Sequence, residues 1–256
     1  MQNILLIGNG DACNADRRLK EEAKALNINI VDYWNTPTED IEYIATINRR
    51  YLNSLIPLQR GKQINRMVDG IFWKNKITQL TSLNTACRKP KYLIGKKSGL
   101  DFQLIANTID LPFIAKVSNS GKGSEVYLVR NINDFSKLPE ECDIFEEVIW
   151  DSIGKDVRVY VVNGEVKCCM LRENTSNFKS NFHQGGKGSK YPIDNTIKDI
   201  AKHIYKTTNL TLMGIDLLID RSSYVFCELN TNPGFEELER ACNYNAAREI
   251  LELAIK

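Results

Sequence analysis

Histidine is almost absent from this chain, with two among 256 residues. The seven cysteines (Cys13, Cys87, Cys142, Cys168, Cys169, Cys227 and Cys242) include no CxxC pair, so a Cys/His zinc site lacks both ligands and spacing. Their odd number and scatter argue for reduced thiols rather than a disulfide framework. No apolar run approaches the ~20 residues that span a bilayer. The opening MQNILLIG has neither a charged leader nor a small-residue cleavage site. The expectation is therefore a cytoplasmic protein without membrane contact. Gly8-Asn9-Gly10 does not extend to a GxGxxG dinucleotide fingerprint, and no GxxxxGK[ST] P-loop is present. Basic residues are not interleaved with aromatics in the manner of RNA-binding modules, which argues against nucleic acid.

What is there is ordinary in bulk and uneven in distribution. Hydrophobic content of 43% and charged content of 26% describe a globular chain with a substantial core. Net charge is +2, yet between Arg49 and Lys97 the only acid is Asp69, whereas Glu236, Glu237 and Glu239 crowd the end. A basic lobe opposite an acidic one suits an anionic ligand between them. A solvated basic helix face is the alternative.

Read in order, Asn3–Gly8 is a buried strand, Ala15–Leu26 an amphipathic helix and Asn29–Tyr33 a second strand, together a β-α-β unit. Residues 40–60 carry Ile41, Ile44, Ile47 and Leu55 at helical spacing, and a helix is expected there. Lys74–Asn84 and Gly99–Thr108 read as helices, with a short strand at Lys91–Ile94 between them. Pro112–Val117 is a strand with a lysine near its end. The glycine-rich tip Ser118–Ser124 follows, and Glu125–Val129 is the returning strand. Small residues at such a tip let backbone N–H groups approach phosphate oxygens, although a glycine tip is also simply a turn. Asp143–Ile149 bears two adjacent glutamates. Asp156–Asn163 and Glu165–Leu171 form a hairpin through Asn163-Gly164, a type I′ turn signal. Glu173–Lys190 reads as a long polar loop, Asn195–Thr207 as a helix, and Glu236–Lys256 as a closing helix or helix pair.

The stretch Leu212–Gly234, LMGIDLLIDRSSYVFCELNTNPG, organises the rest. Strands Met213–Ile219 and Tyr224–Leu229 flank a polar turn at Asp220–Ser223. Glu228 and Asn230 lie two apart and so share a face. Asp216 interrupts an apolar run, where a carboxylate is costly without a partner or a metal. Two carboxylates and an amide oxygen on one face form a hard-oxygen set suited to Mg²⁺ held with substrate phosphates. The plainer reading keeps both acids as strand-end carboxylates in water.

Taken together, PFIAKVSNSGKGSEVYLV, IFEEVIWDSIGKDVRVYVVNGEV, NFKSNFHQGGKG and MGIDLLID…VFCELNTNPGFEELE resemble the ATP-grasp superfamily. The branch they resemble most is the RimK-type carboxylate–amine ligases, which join glutamate or another amino acid to an acceptor. The similarity runs well over about residues 75–240 and loosely over the first 35. It implies an α+β ATP-grasp fold with a small Rossmann-like α/β lobe (pre-ATP-grasp) at the N-terminus. The divisions expected are 1–75 for the substrate-side lobe, 76–130 for the glycine-loop lobe and 131–256 for the metal-bearing lobe.

By the same resemblance Lys116, with Lys76 as companion, would contact ATP phosphates beneath the tip residues Ser120, Gly121 and Gly123. Glu146, Glu147 and the backbone of Val148 would frame the adenine, and Asp156 would meet the ribose. Arg158, Lys179 and Asn181 would hold phosphate oxygens, and Arg172 would stabilise the oxyanion of the intermediate, which makes Arg158 and Arg172 the catalytic candidates. Asp216, Glu228 and Asn230 would bind two Mg²⁺ ions, with Mn²⁺ as a substitute. The reaction implied is an amide bond made through an acylphosphate, from an amino acid and a carboxylate acceptor: a peptide, a protein tail or a small acid. Peptide cyclisation and a non-catalytic ATP-binding scaffold are the alternatives, and a homo-oligomer is left open.

Overall fold

A computed structural model describes residues 2–35, 41–58, 60–120, 125–180 and 187–256. The chain opens with β1 (Asn3–Ile7), α1 (Asn14–Ala25) and β2 (Asn29–Asp32), the expected β-α-β unit. Leu5, Leu6 and Ile7 are all buried, because a parallel strand covered on both faces needs no polar alternation. Next come β3 (Ala45–Asn48), a 3-10 turn at Asn53–Leu58 and β4 (Lys62–Ile64), which complete a parallel sheet of order β2-β1-β3-β4.

The helix expected over 40–60 is therefore a strand followed by a turn. Of the spaced residues only Ile47 lies in β3, whose four residues are all buried; Ile44 is exposed just before the strand and Leu55 sits in the 3-10 turn, so they share no helical stripe. Helix α2 (Met67–Trp73) follows, and α3 (Lys76–Ser82) begins after Asn75, whose side chain accepts from Thr78 N.

The second sheet, in order β5-β8-β6-β7, is wholly antiparallel. It comprises β5 (Tyr92–Ile94), β6 (Phe113–Lys116), β7 (Val126–Val129) and β8 (Ile144–Glu147), with α4 (Phe102–Ile109) and α5 (Ile132–Ser136) between strands. Phe113, Phe135 and Phe145 form its core with Ile105 and Ile109.

The third sheet carries the chemistry. It has β9 (Lys155–Val162), β10 (Glu165–Glu173), β11 (Lys187–Tyr191), β12 (Leu212–Asp220) and β13 (Ser223–Asn230), in the antiparallel order β11-β10-β9-β12-β13. Asn163 (φ 49°) and Gly164 (φ 79°) make the tight β9–β10 turn, as their sequence signals. The end of the expected 173–190 loop is strand β11, paired to β10 from Tyr191 to Lys187. Four of its five residues are exposed, so no apolar alternation announces it.

Helix α6 (Asn195–Thr208) covers one face of this sheet, with Ile197, Ile200 and Ile204 packed on Val159 and Met213. On the other face, α7 (Glu236–Cys242) and α8 (Ala246–Ile255) share one core with β1 and α1, where Leu19, Tyr160, Phe235 and Leu251 meet. The first lobe is thus welded to the third sheet. Arg49 Nε pairs with Asp16 Oδ1 at 2.8 Å, both residues almost fully buried, and the Arg49 guanidinium stacks on Phe235 at 5.2 Å. Among the described residues no helix is long and apolar enough to cross a membrane.

Candidate active site

A cleft of about 130 Å³ separates the second and third sheets. The second sheet contributes Ile114 and Lys116 from β6, Val126 from β7 and Glu146 from β8, with Val148 and Ile149 beyond. The facing wall is Asp156, Arg172, Asp216, Leu218, Cys227 and Glu228, and α3 supplies Lys76. Apolar side chains line it together with charged ones, the usual composition of a small-molecule site.

The charges are paired with care. Lys116 Nζ lies 2.5 Å from Glu146 Oε2, both nearly buried. Burial favours the neutral amine, but the Glu146 carboxylate outweighs it and lifts the ammonium above its ordinary range. Lys76 Nζ donates to the Ser120 carbonyl and stands 3.4 Å from Glu228 Oε1. One lysine therefore touches both the start of the glycine tip and the carboxylate strand.

On the opposite wall, register places Arg172 across from Asp156 and Arg158 across from Asp216. Arg172 grips Asp156 with two bonds of 2.6 Å and reaches Asp216 Oδ2 at 2.7 Å. Arg158 meets Asp216 in a two-pronged contact, Nε to Oδ1 and Nη2 to Oδ2, both 2.7 Å. Burial alone would raise the Asp216 carboxyl. The two guanidiniums, Arg158 before Arg172, outweigh it and hold the group at about 2, below its ordinary 3.8. Ser180 Oγ donates to Asp156 at 2.6 Å. Burial pulls the Lys179 ammonium below its ordinary value, and its Nζ sits 5.5 Å over the Phe178 ring.

Asp216 faces Glu228 across the β12–β13 pair, and Asn230 follows two residues on. The pairing skips at this point: Asp216 opposes Glu228 but Leu217 opposes Phe226, leaving Cys227 as a bulge residue. Consecutive side chains, Cys227 and Glu228, consequently both line the cleft. No sequence signal pointed to Cys227. Burial pushes its thiol up to about 12, so it stays neutral.

The donors suit Mg²⁺. Three N–H bonds on the Asp216 carboxylate leave about one of its roughly four lone-pair positions open, and Glu228 is one-third exposed. Among the described residues no three His, Cys, Asp or Glu side chains cluster to hold a metal. Phosphate oxygens and water would complete the shell, which Mg²⁺ ordinarily accepts.

Of the other expected site residues, Glu147 lies at the cleft edge, where its carboxylate takes bonds from the Arg88 guanidinium and Lys91 N. Asp156 is bound into the arginine network rather than open. The Asn230 side-chain oxygen accepts from Asn232 N at 3.0 Å. Gly121, Gly123 and Asn181 lie outside the described residues.

Comparison with known proteins fits this geometry. The model of the RimK-like ATP-grasp domain matches residues 74–254. N-acetylaspartylglutamate synthase A from Homo sapiens is 34% identical over 154 residues, which is 57% of this chain and 39% of that protein. This chain thus spans about two-fifths of the length of that relative. The probable alpha-L-glutamate ligase of Legionella pneumophila (strain Corby) is 26% identical over 230 residues, covering 87% of this chain and 72% of that one. Among solved structures, the ATP-grasp ligase PsnB, complexed with a phosphomimetic variant of a minimal precursor, Mg and ADP, superposes with a TM-score of 0.73. That match is 15% identical and covers 99% of this chain and 97% of the other.

Proposed function

We propose, from the premise that this chain belongs to the RimK-like ATP-grasp family, that it is an ATP-dependent carboxylate–amine ligase. It adds an amino acid such as glutamate to a peptide, a protein tail or a small acid. The observation that carries this reading is the cleft itself, where Lys76, Lys116, Arg172 and Lys179 line the same space as the Asp216–Glu228 pair. Cations for phosphate oxygens stand beside carboxylates for a divalent ion, and phosphoryl transfer needs little beyond positioning and charge neutralisation.

In the first half-reaction the acceptor carboxylate attacks the γ-phosphorus, giving an acylphosphate and ADP. In the second, the amine attacks the acyl carbon, inorganic phosphate leaves, and the amine proton passes to solvent or phosphate. Ile114, Val126, Ile149 and Leu218 line the cleft and would enclose the base, with Glu146, Glu147 and the Val148 backbone along its edge. Lys116, Lys76 and Lys179 bind phosphate oxygens, while Asp156, Arg158 and Ser180 hold the wall in place. Arg172 uses Nε and Nη2 on carboxylates, which leaves its Nη1 donors for the oxyanion of the tetrahedral intermediate. Asp216, Glu228 and Asn230 would hold Mg²⁺ (two ions, replaceable by Mn²⁺), which would supply charge neutralisation to the phosphates.

The test is phosphate release from Mg-ATP with each of the twenty amino acids, alone and with an acidic peptide pool, the products weighed by mass spectrometry. An acceptor that gains the mass of one amino acid less water supports the ligase. AMP and pyrophosphate in place of ADP and phosphate would sink it. A second reading, closure of a lactam or ester within a peptide, draws on the likeness to PsnB, which runs along nearly the whole chain. Loss of one water from a peptide, with no added amino acid, would select it.

A further inference from the structure

Strand β13 lies at the outer edge of its sheet, so among the described residues no strand pairs with one side of its backbone, which meets only an isolated bridge from Arg88 to Val225. An unpaired edge exposes N–H and C=O groups that must be satisfied otherwise. Here groups from outside the sheet take that place. The Arg88 carbonyl accepts from Phe226 N at 2.8 Å. Next along, Gln79 Nε2 donates to Leu229 O at 2.8 Å while its Oε1 accepts from Leu229 N at 2.8 Å. The remaining Nε2 hydrogen goes to Trp73 O at 2.7 Å. Just past the strand, Asn65 Nδ2 donates to Thr231 O at 2.9 Å and to Leu212 O at 2.6 Å, and Asn65 Oδ1 accepts from Leu212 N at 2.8 Å. Both carboxamides are almost completely buried.

The place of these bonds matters. Leu229 stands between Glu228 and Asn230, and Thr231 comes directly after. Gln79 thus acts as a one-residue substitute for a neighbouring strand, at the point where the carboxylate and the amide leave the backbone. Gln79 also follows Lys76 by one turn of α3, so the two side chains share a face of that helix. One short helix therefore delivers the lysine that stands 3.4 Å from Glu228 and the amide that fixes the Glu228 strand.

We propose that Gln79 is a positioning residue. By pairing with both backbone groups of Leu229 it sets the spacing between Lys76 and the Glu228–Asn230 pair, and through that spacing the affinity of the site for Mg²⁺ with a nucleotide. This rests on the reading of the cleft as an ATP and Mg²⁺ site. A group that orients metal ligands without touching the metal commonly governs affinity by roughly 10–100-fold.

The experiment titrates MgCl₂ into the full chain at fixed ADP and follows ADP binding by calorimetry. In Gln79→Met the Mg²⁺ concentration for half-maximal ADP binding should rise by about tenfold, while ADP binding without Mg²⁺ stays at the wild-type level. Gln79→Asn keeps the amide but falls one methylene short. It should lie between the two, and it carries the comparison if Gln79→Met does not fold. Leu80→Val weakens the packing of the same helix and should lower the melting temperature without moving the Mg²⁺ midpoint. An unmoved midpoint in both Gln79 variants, or an equal shift in Leu80→Val, would overturn the positioning role and leave the ligase reading standing. A wild-type protein that binds no ADP in the presence of Mg²⁺ would instead overturn the ligase reading on which the role rests.

Discussion

Two buried guanidinium–carboxylate networks in this molecule share their chemistry and differ in their neighbours. In the first lobe, Asp16 is closed on every side: Arg49 Nε takes one oxygen, Asn9 N donates to the other, and Gly8 leaves no room for even a Cβ beside it. Arg49 turns one donor each of Nη1 and Nη2 to the Pro233 carbonyl and its face to Phe235. In the cleft wall, Arg158 and Arg172 grip Asp216 as firmly, yet Asp216 stands beside the half-open Glu228. The first network is a closed fastening between a lobe and a sheet. The second is a wall with an unfilled side. Burial alone does not mark a functional charge; what distinguishes the cleft is an acid left next to a cation at 3.4 Å rather than in full contact.

Substitutions at the two networks should therefore fail in different assays. The largest effect is expected from Glu228→Ala. Losing a metal carboxylate removes several kcal/mol of transition-state stabilisation, roughly a thousandfold in turnover. Because Glu228 is one-third exposed, the melting temperature should barely move. Near-normal ADP formation would erase the functional half of the contrast.

Arg49→Met comes next and should register as stability. An uncompensated buried Asp16 costs about 3–5 kcal/mol, read from urea unfolding. A loss below about 1 kcal/mol would show that Asp16 finds water or another donor, and that the fastening is looser than its burial implies.

Acid sharpens the comparison further. Asp216 has a lowered carboxyl in the folded chain, so its contribution to stability is present above its ordinary 3.8 and is lost as pH falls toward about 2. In metal-free protein this is worth about 2 kcal/mol. Arg158→Met should carry that loss to higher pH, which unfolding midpoints across pH 2–6 would record. The smallest effect is at the surface pair Arg66–Asp69, where the arginine is more than half exposed. Arg66→Ala should change unfolding by no more than about 0.5 kcal/mol.

Much of this was legible in the residues, and the exceptions have physical causes. The β12–β13 hairpin, the Asn163-Gly164 turn and the opening β-α-β unit declare themselves through alternation, turn chemistry and apolar runs. Strand β3 does not, since a strand buried on both faces has no periodicity, and its one isoleucine, Ile47, falls by chance at helical spacing from Ile41 and Ile44 outside it. Strand β11 was hidden for the opposite reason, being polar throughout. In the site, Asp216, Glu228 and Asn230 stood out as hard-oxygen donors, and the structure brings Asp216 and Glu228 together. The bulge that turns Cys227 into the cleft was not visible, because a bulge depends on the pairing of two strands and not on one strand's composition. Nothing in the sequence around Gln79 and Asn65 sets them apart from other polar residues. An amide bound for the interior looks, in sequence, like one bound for water.

The fastened edge of β13 has a consequence in crowded solution, apart from any chemistry. A strand at the rim of a sheet is where a foreign chain can join. Gln79 and Asn65 leave little to join, since the backbone groups they hold are no longer on offer. At the far rim, β11 meets newcomers with the exposed lysines Lys187 and Lys190. One rim is closed by occupancy and the other guarded by charge, so loss of the carboxamides would reopen the first rim to association.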